Sequence, residues 1–152
     1  MGVDFVEQYE DRILAEELAA LGAVGGGSGR LVRVVAKRMK KNVQEIELLV
    51  PLPFDEAVRR VFGVLSGAGR AVGSGAGDDG TEMLRVVAGG GAGGLNPVVV
   101  TVWVRQAGEG GSQVRLRAAA KEGLIRQRAG EKTAARLAAL LGEATGATRA
   151  GG

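Results

Sequence analysis

"EIELLVPLPFDEAVRRVFGVL", residues 45–65, changes its hydrophobic period halfway along, and that change decides the fold. Up to Val50 the period is two. Ile46, Leu48 and Val50 fall on one side of an extended chain, with Glu45, Glu47 and Leu49 on the other, the pattern of a half-buried strand. Past Pro53 the period becomes helical: Phe54, Ala57, Val58, Val61, Phe62 and Leu65 recur at i, i+3, i+4, i+7, i+8 and i+11. Asp55 and Glu56 occupy the first turn, where the helix dipole favours acids, and Gly67 and Gly69 close the segment.

Working outward to the C-terminus, a weak strand over 70–74 leads through the turn "GAGDDG" to strands over 81–88, 97–106 and 112–121. Their inward sets are Leu84, Val86 and Ala88, then Val98, Val100, Val102 and Val104, then Val114, Leu116, Ala118 and Ala120. "GLIRQRAGEKTAARLAALLG", 123–142, predicts a closing helix that buries Ala134, Leu137, Ala138 and Leu141 and ends at Gly142. The succession is strand, helix, four antiparallel strands, helix. It predicts an α+β fold, a curved antiparallel sheet with two helices on one face.

Towards the N-terminus, residues 3–21 predict a further, amphipathic helix with Val6, Tyr9, Ile13, Leu14, Leu18 and Leu21 on its stripe. Six acids, Asp4, Glu7, Glu10, Asp11, Glu16 and Glu17, face Arg12 alone. The expected organisation is an acidic helix and Gly-rich linker over 1–29, a basic arm over 30–42, the domain over 43–142 and a disordered tail over 143–152. Met39 offers an alternative start, so the sequence leaves open whether 1–38 belong to the natural protein. An isolated helix of this length is marginal in water and must dock to be ordered. The expected surface is the basic run Lys121, Arg126, Arg128, Lys132 and Arg136 at the start of the closing helix, in this chain, a second copy or a partner.

Composition excludes much chemistry. With no cysteine and no histidine, the chain has no thiol nucleophile, disulfide, Cys/His zinc site or imidazole base. Asp78 and Asp79 stand in ordinary turn chemistry. No catalytic residue, cofactor or metal ligand is nominated, and the balance leans away from an enzyme. The acidic N-terminus lacks the form of a signal peptide, Val6 spoils a myristoylation motif at Gly2, and no apolar run approaches a membrane span. A cytoplasmic protein is expected.

Glycine contributes 27 of 152 residues, more than twice the usual share of about 7%. Gly89, Gly91 and Gly94 reproduce the spacing G-x-G-x-x-G. A phosphate loop must lead into a helix N-terminus, and "LNPVVVTVWV" after Gly94 is a strand. The loop reads as a hairpin connection.

Two segments, "EIELLVPLPFDEAVRRVFGVL" and "SQVRLRAAAKEGLIRQRAGEKTAARLAALL" (112–141), resemble the START-like, polyketide-cyclase-like (helix-grip) family, whose element order TATA-box-binding-protein repeats share. This chain has fewer strands and no room for that family's second short helix. The resemblance implies a hydrophobic pocket between sheet and closing helix, lined by Ile46, Leu48, Val50, Phe54, Val100, Val102, Leu116 and Leu137. The function it implies is a non-enzymatic binding or interaction module with an apolar small molecule as ligand. A rival lies on the outer sheet face, where Arg85, Trp103, Arg105, Arg115 and Arg117, with the 30–42 arm, suit weak nucleic-acid binding. Cross-strand pairing of Glu45 and Glu47 with Arg115 and Arg117 would instead leave a solvated face.

Overall fold

The computed structural model describes residues 2–24, 40–90, 96–122 and 128–151. A helix α1 (Gly2–Val24) precedes β1 (Lys40–Val50), α2 (Phe54–Ala68), β2 (Arg70–Ala76), β3 (Glu82–Gly90), β4 (Asn96–Gln106), β5 (Ser112–Glu122), α3 (Ala129–Thr145) and β6 (Thr148–Arg149). The strands form one sheet in the order β2-β3-β4-β5-β1-β6 with every pairing antiparallel. This is the expected α+β fold with its appended helix. The linker 25–29, the arm residues 30–39 and Gly91–Gly94 of the glycine loop lie outside the described residues.

The switch of period at Pro53 works as the sequence predicts. Ile46, Leu48 and Val50 are buried while Glu45, Glu47 and Leu49 are exposed. On α2 the buried line is Ala57, Val61 and Leu65, with Phe54, Val58 and Phe62 half-buried along its flanks. At Gly69 the chain turns so close to β3 that a Cβ would lie 2.5 Å from the Val87 carbonyl oxygen, so glycine is required. α2 and α3 cover one sheet face, and the strand residues beneath them form a single apolar core.

The ends of the last helix differ from expectation. α3 begins at Ala129, after Arg128 turns through a left-handed backbone (φ 53), and its first turn presses on β1. A Cβ on Gly130 would sit 2.3 Å from the Asn42 carbonyl oxygen, and the Glu131 N–H donates to Asn42 Oδ1 at 2.9 Å. The described part of the expected tail, 143–151, is structured too. Residues 143–145 complete α3, Gly146 (φ 74) caps it, and Thr148 and Arg149 pair with Leu49 and Leu48 as β6. The backbone hydrogen bond from Ala150 to Glu47 continues that pairing. The arm is also shorter than expected, since Lys40–Asn42 belong to β1.

Candidate functional site

Two surfaces hold the residues singled out above. The inner layer, between the sheet and α2 and α3, contains all eight nominated lining residues. Val100, Val102, Leu116 and Leu137 are 0% exposed, Leu48 and Val50 2%, Ile46 6%, and Phe54 is half-buried against them. Around them α3 presents mostly alanine and leucine, with Thr133 and Thr145 as its buried polar side chains.

The outer face divides in two. Strand alternation places Lys41, Glu45, Arg85, Thr101, Arg117 and Lys121 on it, and α1 lies across them. Leu14, Ala15 and Ala19 supply the apolar contact, and beneath the helix Val99 and Ala119, outward by register, are fully buried. The carboxylate of Glu10, also 0% exposed, accepts from Arg117 Nε at 2.8 Å and Nη2 at 3.0 Å, a bidentate pair, and from Lys41 Nζ at 3.3 Å. Arg117 Nη1 donates to Glu45 across the strand pair at 2.9 Å. Asp11 bridges Lys41 at 3.1 Å and Lys121 at 3.2 Å, and Glu17 pairs with Arg70 at the far sheet edge. Arg85 donates to Thr101 at 3.0 Å and lies 5.6 Å from the Tyr9 ring centre. Among the described residues, every buried side-chain nitrogen and oxygen has a partner.

Titration follows from this packing. Burial alone would raise the Asp11 carboxyl, but the hydrogen bonds from Lys41 and Lys121 outweigh it and hold the group below its usual range. Hydrogen bonds to Glu10 make Arg117 harder to deprotonate despite burial, whereas burial dominates at Arg85 and lowers it. α1 is therefore fixed by charge as well as by apolar contact.

Two residues further along each strand, the face is open. Glu47, Arg115, Trp103 and Met83 stand side by side across β1, β5, β4 and β3, and Gln113 and Arg105 form the next row. With the β2–β3 turn they line a groove of about 540 Å³. Arg115 stacks over Trp103 at 4.2 Å. Arg105 Nε donates to Gln113 at 2.8 Å, its Nη2 reaches the same oxygen, and Gln113 Nε2 donates to Glu47 at 3.4 Å.

The five residues nominated for nucleic acid are thus divided. Arg85 and Arg117 are 8% and 7% exposed beneath α1, while Trp103, Arg105 and Arg115 share the open groove. The cross-strand pairing is made at Glu45–Arg117, and Arg115 takes Trp103 in place of Glu47. The docking surface of α1 is corrected as well. Among the described residues of the expected basic run, Lys121 meets α1 and is on β5, and Arg128 pairs with Glu131. Arg126 lies outside the described residues. Glu10, Lys41 and the groove residues Met83 and Gln113 were missed by the sequence reading. The signal for the first two was the charge asymmetry between α1 and the strands. Met83 and Gln113 gave none, because the extent of the groove depends on which half of the sheet α1 leaves bare.

No family model matches the chain, and no curated protein matches it with significance. Solved structures match it distantly. A major latex protein family member from Arabidopsis thaliana is 11% identical, with 65% of this chain and 95% of that one covered at a TM-score of 0.35. Truncated norcoclaurine synthase from Thalictrum flavum is 12% identical, with 69% and 93% covered at 0.36. An aromatase/cyclase from a Streptomyces species is 11% identical, with 68% and 86% covered at 0.30. These neighbours are the helix-grip proteins that the sequence resembles. Likeness this faint bears on no ligand or reaction.

Proposed function

We propose that the chain is a small, non-enzymatic binding module that takes an apolar small molecule between its sheet and α3. The observation that carries this reading is the make-up of the inner layer. Ile46, Leu48, Val50, Val100, Val102 and Leu116 present hydrocarbon only, and α3 meets them through Ala134, Leu137, Ala138 and Leu141. A polar guest there would leave its hydrogen bonds unmet, at a cost of several kcal/mol. An apolar guest gains from the same lining. Ala118, Ala120, Ala134 and Ala138 put little bulk at the contact of β5 with α3, so a modest outward shift of α3 makes room.

The nucleic-acid reading gains no support. Two of its five residues are sealed under an acidic helix, and Glu47 and Asp79 stand in the groove with the other three.

Native mass spectrometry of the full chain purified from its host tests the proposal. A retained, denaturation-releasable mass is expected, and Ala118→Leu, which narrows the layer, should expel it while the chain stays folded. A bare polypeptide mass, together with no uptake of added long-chain alcohols or polycyclic aromatics, would overturn it.

A further inference from the structure

The open groove on the outer face is separate from the inner layer, on the other side of the sheet. We propose that it binds a small aromatic carboxylate, with the ring against Trp103 and Arg115 and the carboxylate between Arg105 and Arg115.

The neighbouring half of the face already shows this chemistry. There α1 brings an aromatic ring and carboxylates to two sheet arginines: Tyr9 meets Arg85 at 5.6 Å, Glu10 chelates Arg117, and Glu7 lies 3.8 Å from it. The open half has the same two cations without the guest. Among the described residues neither Arg105 nor Arg115 forms an ion pair, whereas Lys41, Arg70, Arg117 and Lys121 all do. Arg105 spends its Nε and Nη2 donors on the neutral Gln113 amide and makes no ion pair among the described residues, so the groove's Asp79 acts on its charge only at a distance. The Arg115 guanidinium carbon sits over the Trp103 ring at 4.2 Å from its centre, and a planar guanidinium can both stack and donate along its edge. These side chains stand on strands, which hold them in place, and about 540 Å³ is within the range of small-molecule sites.

The rim sets the charge of the guest. Glu47 accepts from Gln113, and Asp79 accepts the Thr81 N–H at 3.1 Å, a bond that holds its carboxyl below the usual range. Two carboxylates and two guanidiniums leave the lining neutral. A single anionic group placed at the guanidiniums is welcome, while a polyanion running past the rim meets repulsion. The fitting guest is therefore a flat monoanion, which excludes nucleic acid and an acidic peptide.

Trp103 is the chain's sole tryptophan, so its emission reports this groove alone. The full chain is titrated with benzoate and, in parallel, with benzamide, the neutral match. A saturable emission change is expected with benzoate, with binding about tenfold weaker for benzamide and for Arg105→Gln, the loss of one charge-assisted contact. Arg115→Gln alters Trp103 emission by itself, so its binding is read by ligand-observed NMR, where the same tenfold loss is expected with unfolding temperature unchanged. Benzamide binding as tightly as benzoate, no saturation, or full affinity in Arg105→Gln would each overturn the proposal. An inner-layer ligand would be indifferent to both arginine variants, which separates this outcome from the fate of the function proposed above.

Discussion

Arg117 and Arg115 stand two residues apart on β5 and point the same way, yet Arg117 is 7% exposed and Arg115 lies open. The first is held by Glu10 and Glu45, with Glu7 at 3.8 Å as a third carboxylate; the second has a tryptophan face and water. One helix makes the difference. Where α1 lies, the charges of the sheet become structural, locked into a desolvated cluster whose loss costs stability. Where it does not, the same residue type contributes little to folding and is left available for a guest. Sequence-adjacent charges on one strand can therefore serve different ends, decided by an element whose Glu10 stands 107 residues away from Arg117 in the chain.

The largest test removes the lock. Glu10→Ala leaves Arg117 and Lys41 beneath α1 short of an anion, and stripping one partner from a buried pair costs about 3–5 kcal/mol. That exceeds the roughly 1.5–3 kcal/mol that burial of Leu14 supplies, so α1 should leave the sheet. Hydrogen exchange would show α1 amides losing protection while β1, β4 and β5 keep theirs. Replacing both partners, Glu10→Leu with Arg117→Leu, should restore protection, because an apolar pair needs no desolvated charge.

Acid provides a gentler break. The Asp11 carboxyl is held below its ordinary value in the folded chain by Lys41 and Lys121. Its contribution is thus fully present above the unfolded-state pKa of about 3.9 and is lost as pH falls through the lower folded value. α1 protection should drop below about pH 4. Asp11→Asn should be less stable than the parent at pH 7 and flatter in its acid response. An acid profile identical to the parent's would remove Asp11 from the account.

The smallest expected effect is on the open half. Arg115→Ala and Arg105→Ala should change unfolding free energy by no more than about 0.5 kcal/mol, the ordinary range for exposed sites. A loss comparable to that of Glu10→Ala would mean that the two halves do not differ.

The sheet and its helical cover were legible because each rests on a period that local sequence carries. Ile46, Leu48 and Val50 on β1, and Val61 and Leu65 on α2, announce their inward faces without help from distant residues. The face chosen by α1 was not legible, because the stripe of Val6, Tyr9, Ile13 and Leu14 does not coincide with its buried line. Glu10 and Leu14 are 0% exposed while Tyr9 is 41% exposed. A carboxylate at the centre of a contact reads as surface until its partners Arg117 and Lys41 are brought to it by the β1–β5 pairing. The rival basic surface on the closing helix failed because α1 docks on the sheet face opposite α3, where Lys121 reaches it from β5. Of the candidate sites, the inner layer was visible as residues and the outer groove only through Trp103, Arg105 and Arg115, since the edge left by a docked helix has no local signature.

Because the chain contains no cysteine, a single introduced thiol reports one position, and this gives the most direct test of the central claim that α1 seals half of the outer face. Thr101→Cys places a near-isostere at a fully buried outward position under α1, and Arg115→Cys places a thiol in the open groove. Under native conditions a maleimide reagent should modify the thiol at 115 at the rate of a free thiol and that at 101 at least about a hundredfold more slowly, with Glu10→Ala raising the slower rate. The hundredfold corresponds to an opening free energy of about 2.7 kcal/mol. Equal rates at the two positions, or a rate at 101 indifferent to Glu10→Ala, would contradict the account.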